Sequence, residues 1–154
     1  MSTGIGTGFS PGRLAALPGT PLPGGRFTIE PWQAWLLADV VQADPAATPP
    51  GIVHPLFVYV ASTGAMGLTW DELFACCGAT AADGPMFGES ETVVHTPLRV
   101  GTEYVVRGEF DSADRKEGKR TGVFDIVGFR LDVLHRDRMV AVSRNSIVYP
   151  RRKS

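Results

Sequence analysis

Cysteine is nearly absent from this chain of 154 residues: there are two, Cys76 and Cys77, side by side. Neighbouring cysteines bridge only with strain, so no disulfide is expected. No cysteine or histidine spacing suits zinc, and neither a metal nor another cofactor is expected. An excess of one charge is also lacking. The formal net charge is -1, so no basic field points to nucleic acid or to an anionic membrane. No apolar run approaches the ~20 residues that span a bilayer. The N-terminus has neither a basic start nor an apolar core, so no secretory signal is expected, and a cytoplasmic location follows by default. A chain of this length makes one domain and buries enough apolar surface to fold without staples.

Glycine and proline are not scarce, but they are unevenly placed. Residues 1 to 25 hold seven of the eighteen glycines and four of the twelve prolines. That stretch is expected to be mobile or draped over a surface. Gly4, Gly6 and Gly8 match neither nucleotide-loop spacing, and no strand precedes them. The domain is therefore placed at 26 to 150, with a flexible segment over 1 to 25 and a basic tail over 151 to 154. Arg151, Arg152 and Lys153 read as a solvated tail rather than a binding patch.

The organising stretch is His54 to Gly67, HPLFVYVASTGAMG, which carries no acidic or basic side chain apart from His54. A segment without a polar face is buried on every side. Pro55 suits a first helical turn, where its missing N–H costs nothing. The expectation is a buried central helix. Ahead of it, Arg26 to Glu30 alternates as a short strand. Pro31 opens a helix over PWQAWLLADVVQ, with Trp32, Trp35, Leu36 and Val40 at helical spacing. DPAATPPG, residues 44 to 51, is a stiff turn-rich connection.

Behind the central helix, Thr69-Trp70-Asp71-Glu72 reads as a capping box, and Gly78 as the stop of a short helix. Strands are expected over Met86–Leu98, Glu103–Phe110, Gly122–Leu134 and Met139–Tyr149. Between them lie the turns 99 to 102 and His135–Arg138, and a charged hairpin loop, Asp111–Thr121. Gly108 marks a bulge. The class is α+β: a curled antiparallel sheet, with RFTIE as fifth strand, wrapped around the buried helix.

This order resembles the hot-dog fold and, within it, the MaoC-like hydratase/dehydratase family, most closely its FAS1-type N-terminal dehydratase domains. Two segments carry the resemblance. One is Ile52-Val53-His54-Pro55-Leu56-Phe57, leading into the central helix. The other runs from Gly88-Glu89 through His95-Thr96-Pro97-Leu98-Arg99-Val100-Gly101. The likeness covers roughly residues 26 to 149. It implies binding of an acyl thioester, on coenzyme A or an acyl carrier protein, at a dimer interface, with water added to or removed from a 2-enoyl or 3-hydroxyacyl chain. It also implies association as a homodimer, or as a heterodimer with another hot-dog subunit. Open sheet edges favour the same. Nucleic acid and membrane are not expected partners.

Hydration of an enoyl thioester needs an acid–base pair for the water and the α-carbon, and an N–H donor for the thioester oxygen as it gains charge. Active members of the family supply these as D-x-x-x-x-H and as the glycine of an A-H-G step. Here Asp44 stands at the place of the Asp, but Pro49 stands where the His would be. The A-H-G step reads Val53-His54-Pro55, and proline has no N–H. Losing one such donor costs roughly 3 kcal/mol of transition-state stabilisation. The resemblance thus points to a catalytically degenerate half that works with an active hot-dog partner. Small residues Ala61, Ser62, Gly64, Ala65 and Gly67 on the central helix leave space for an acyl chain, and Pro55, Ser62 and Gly64 are the substrate-contact candidates. Close helix-to-sheet packing would use the same small residues.

Two alternatives stand beside this reading. A self-sufficient hydratase would use Asp44 and His54 as its catalytic pair. A non-catalytic acyl-thioester-binding or assembly module would turn nothing over. A thioesterase ranks lowest, because such enzymes carry an acidic residue on the central helix and 54 to 67 has none. His95 and His135 have no carboxylate at motif spacing and read as ordinary.

Overall fold

The computed structural model describes residues 9–151. In chain order the elements are α1 (Pro11–Ala15), β1 (Pro21–Thr28), α2 (Pro31–Val40), α3 (Phe57–Gly64), α4 (Trp70–Cys76), β2 (Met86–Val94), β3 (Glu103–Gly118), β4 (Gly122–His135) and β5 (Arg138–Pro150). The strands form one antiparallel sheet in the order β1-β3-β4-β5-β2. Helix α3 lies over β4 and β5. The fold is α+β: a curled antiparallel sheet with its central helix, the hot-dog arrangement. Among the described residues no helix is long and apolar enough to cross a membrane.

The core follows from alternation. Along β5, Ala141, Ser143, Asn145, Ile147 and Tyr149 are buried at every second position, as a strand with one covered face requires. On β4, Val127, Phe129, Leu131 and Val133 share that face. One apolar cluster joins Met66, Leu73, Phe110, Phe129 and Tyr149, and the other joins Ile29, Val53, Phe57, Val58, Val133 and Ala141. The turn between β4 and β5 is tight, with Arg136 and Asp137 both at positive φ (49° and 59°). Those angles belong to a two-residue hairpin turn, whose twist matches the strands it joins. Helix α4 opens on the expected capping box: Thr69 Oγ1 accepts the Glu72 N–H at 3.2 Å, and Glu72 Oε2 accepts the Thr69 N–H at 2.8 Å.

Five expectations are corrected. First, the loose segment of 1 to 25 is built into the fold from residue 9 onward; residues 1–8 lie outside the described residues. Phe9, Leu14, Leu17 and Leu22 are buried, and β1 begins at Pro21 rather than at Arg26. Pro21 and Pro23 are tolerated because β1 is an edge strand. Gly25 is needed because a Cβ there would stand 2.7 Å from the Ala65 carbonyl oxygen.

Second, the hairpin loop over 111 to 121 shrinks to three residues. Strand β3 continues to Gly118, pairs residue by residue with β4, and absorbs one register shift between Phe110 and Ser112. Its charges conceal the strand, but the pairing with apolar β4 holds it.

Third, the central stretch is not buried on every side. The helix proper begins at Phe57 and ends at Gly64. The sheet covers Phe57, Val58, Ala61 and Ser62, while Leu56, Val60 and Gly64 face outward. Fourth, β2 stops at Val94, and the chain turns there because the N–H groups of His95 and Thr96 both bond to the Val140 carbonyl, at 2.8 and 3.0 Å.

Fifth, Arg151 is not a solvated tail residue. Its Nε donates to Asp125 Oδ2 at 2.7 Å, and its Nη2 to the Cys77 carbonyl at 2.6 Å. Residues 152–154 lie outside the described residues. Helix α2, finally, turns Ala34 and Leu37 inward, leaving Trp32 and Trp35 63% and 67% exposed.

Candidate functional site

A cleft of about 220 Å³ opens beside the N-terminal end of α3. Its walls come from three places: the turn at Ala47, Thr48 and Pro49, the approach to α3 at Val53, His54 and Pro55, and the bend after β2 at Pro97 and Leu98. The lining is largely apolar, as the residue types dictate. The volume exceeds the ~150 Å³ that holds a benzene in an engineered cavity, so there is room for a small apolar group. Isolated pairing between Ile52 and Arg99, with Val53 N–H donating to the Leu98 carbonyl at 2.9 Å, ties two of the walls together.

Two of the candidate residues come to this cleft: His54 and Pro55. Asp44 does not line it. Asp44 precedes the short 3-10 turn Pro45–Ala47 and caps it, Oδ1 accepting the Ala46 N–H at 2.9 Å. Among the described residues no hydrogen bond or ion pair joins Asp44 to His54. Ser62 is fully buried on the sheet side of α3, with its hydroxyl on the Tyr59 carbonyl at 3.3 Å. Gly64 lies on the outer side of α3, with open space where a Cβ would stand.

The backbone at the mouth of the cleft is committed. The Leu56 N–H bonds to His54 Nδ1 at 3.2 Å, the Phe57 N–H to the His54 carbonyl at 2.9 Å, and the Val58 N–H to the Pro55 carbonyl at 3.0 Å. Pro55 contributes no N–H at all. The donors at the start of α3 are therefore spent inside the turn that launches it. Accepting at Nδ1 also sets the neutral imidazole of His54 as its Nε2–H tautomer. In that form its one lone pair is engaged.

Three features escaped sequence reading. A polar row crosses the helix side of the sheet: Ser90 Oγ donates to Asn145 Oδ1 at 2.8 Å, and Asn145 Nδ2 donates to Ser143 Oγ at 3.0 Å. The signal was present, since Ser143 and Asn145 interrupt the apolar alternation of β5. A second feature is a buried ion cluster. Asp125 is fully buried, bound by Arg115 Nε at 2.7 Å and Nη2 at 3.0 Å, and by Arg151 Nε at 2.7 Å. Burial alone would raise the Asp125 pKa; the hydrogen bonds from Arg115 and Arg151 outweigh it and hold the carboxyl below its ordinary range. The third is Cys77, whose thiol burial pushes up to about 11. Among the described residues no group of three histidine, cysteine or acidic side chains converges to hold a metal ion.

No family model and no curated protein matches the sequence. Solved structures do match in fold. The ChsH1-ChsH2 complex from Mycobacterium tuberculosis is similar at 17% identity, with a TM-score of 0.64, over 93% of this chain and 90% of that one. The HadBC (3R-hydroxyacyl-ACP dehydratase) complex from the same organism is similar at 18% identity and a TM-score of 0.63, over 86% of this chain and 96% of that one. A MaoC-like dehydratase from Rhodospirillum rubrum is similar at 17% identity and a TM-score of 0.59, over 89% and 94%. At these identities the likeness is one of architecture, and it agrees with the strand order and the central helix: this chain has the hot-dog fold that MaoC-like dehydratases share.

Proposed function

We propose that this chain is a MaoC-like hydratase/dehydratase component. It binds a 2-enoyl or 3-hydroxyacyl thioester, carried on coenzyme A or an acyl carrier protein, and works beside a hot-dog subunit that holds the catalytic pair. The observation that carries the reading is the state of the cleft mouth. His54 Nδ1 is engaged by Leu56, Pro55 has no N–H, and the next two N–H groups are bonded internally. A hydratase needs a free base and a free oxyanion donor at one place. A largely apolar cleft beside a turn whose N–H donors are already bonded supports acyl binding without turnover. Two of the similar structures are complexes of differently named subunits, which supports a division of labour.

The test is hydration of crotonyl-CoA, followed by loss of enoyl absorbance, by the purified chain alone and then mixed with MaoC-like proteins encoded beside it. The reading predicts no turnover alone, turnover in one mixture, and acyl-CoA binding by calorimetry. Turnover by the chain alone, lost in Asp44→Asn, would establish the self-sufficient hydratase instead. Acyl-CoA or partner binding with no turnover in any mixture would leave a binding or assembly module.

A further inference from the structure

The cleft beside α3 runs from an open rim to a sealed floor. At the rim Ala47, Pro49, Pro55 and Pro97 are exposed, whereas Val53, Val58 and Leu98 at the bottom are 3%, 1% and 2% exposed. Those three belong to the apolar cluster that also holds Ile29, Tyr104 and Val133, so the floor is the packed core itself. The small residues of α3 do not extend the space. Ala61 and Ser62, one turn beyond Val58, are buried against the sheet, and the Ser62 hydroxyl is bonded to the Tyr59 carbonyl. A core packed in this way does not take an extra methylene without strain.

The walls are stiff and carry no charge. Three of the eleven lining residues are proline, each with φ fixed by its ring and no N–H to offer. None is Asp, Glu, Lys or Arg; the polar ones are Thr48 and His54, and His54 Nδ1 is already engaged by Leu56. A carboxylate brought into such a cleft loses its hydration and finds no cation. An uncharged chain gains with each methylene buried until the cleft is full, and then gains nothing.

The volume sets where that point falls. A cavity of ~150 Å³ holds the six carbons of benzene; at the same packing, the 220 Å³ of this cleft holds roughly nine.

We infer that this is a short-chain site: it takes uncharged acyl groups of up to about eight or nine carbons, with Val58 in its floor setting the ceiling, and refuses longer or carboxylate-bearing ones. The inference rests on the acyl-binding reading above and names the class of acyl group.

The experiment is isothermal titration of the full chain with acetyl-, butyryl-, hexanoyl-, octanoyl-, decanoyl- and dodecanoyl-CoA, with succinyl-CoA, and with free coenzyme A as the reference. Affinity should rise about fourfold per added CH₂ as far as octanoyl, and then stay level through dodecanoyl. Succinyl-CoA should bind no tighter than free coenzyme A. Val58→Ala takes two methyl groups from the floor, so in that variant decanoyl should gain at least about fourfold over octanoyl. Ala47→Trp, at the exposed rim, should flatten the whole series. Circular dichroism confirms that the variants fold, and Ile52→Ala, on the half-buried wall, replaces Val58→Ala if that one does not. Wild-type affinity that keeps rising to dodecanoyl, or succinyl bound as tightly as butyryl, overturns the short-chain assignment and leaves acyl binding intact. A folded Val58→Ala with the wild-type break removes Val58 from its role. A series unchanged in Ala47→Trp places acyl binding outside this cleft and overturns the assignment. Wild-type affinities level with free coenzyme A throughout overturn the acyl-binding reading itself, and this inference with it.

Discussion

The Nδ1 atom of His54 accepts the backbone N–H of Leu56 at 3.2 Å. The bond makes His54 part of the entry to the central helix. Its removal should cost what an ordinary hydrogen bond is worth, about 1 kcal/mol. His54→Ala is expected to lower stability by that amount in urea denaturation. His54→Asn, whose side-chain oxygen can take the same N–H, should lose less. A larger loss in the Asn variant than in the Ala variant would show that the ring has another role.

Asp125 holds the end of the chain to its beginning. Arg151 and Arg115 both donate to it, and Arg115 Nη2 also reaches the Phe9 carbonyl at 2.7 Å. Asp125→Ala would leave two partly buried cations without their counter-charge, so a loss of about 3 kcal/mol is expected in denaturant titrations. The carboxyl pKa is depressed in the folded state, so its stabilisation is complete above the ordinary carboxylate range. It is lost only as pH falls through the lower, folded value. Wild type should therefore lose more stability than Asp125→Asn between about pH 4 and pH 2. Parallel acid profiles would contradict this.

The two cysteines differ in exposure. Cys76 is exposed and Cys77 is buried, its thiol pushed up to about 11 chiefly by burial. Attack requires thiolate. Iodoacetamide at pH 8 should modify Cys76 alone in the native protein and both in denaturant, read by peptide mass. Equal native labelling of both would show that α4 does not pack as described.

Gly67 ends the central helix region at φ +85°, and a Cβ there would lie 2.5 Å from the Gly24 carbonyl oxygen and 2.7 Å from Pro23 Cβ. Left-handed geometry and overpacking act together, so Gly67→Ala should cost about 2–4 kcal/mol. Gly64→Ala, with open space around it, should be neutral or slightly stabilising, since alanine is the better helix former. Thermal melts of the two variants separate the close approach from a generic glycine effect.

What could be read from residues alone was whatever rests on local pattern. The Thr69–Glu72 cap, the long alternation of β4, the turn after His135 and the helix at Pro31 all depend on neighbours in the chain, and all stand where expected. Strand β1 hid because proline and glycine mean a break unless the strand is known to lie at an edge. The second half of β3 hid because its charges are held by pairing with β4, which lies beyond a turn. Arg151 looked like a tail because Asp125 is 26 residues away in sequence. The same limit applies at the cleft. The replacement of glycine by Pro55 was visible in the sequence, but the gathering of residues 47–49, 53–55 and 97–98 around one cleft joins segments far apart in the chain.

The proposed function requires that this cleft accept an acyl group without activating water. Crotonyl-CoA hydration by the purified chain, with no other protein present, addresses it most directly. The predicted result is a rate indistinguishable from the uncatalysed one, together with measurable acyl-CoA binding. Sustained hydration that disappears in either Asp44→Asn or His54→Ala would contradict it.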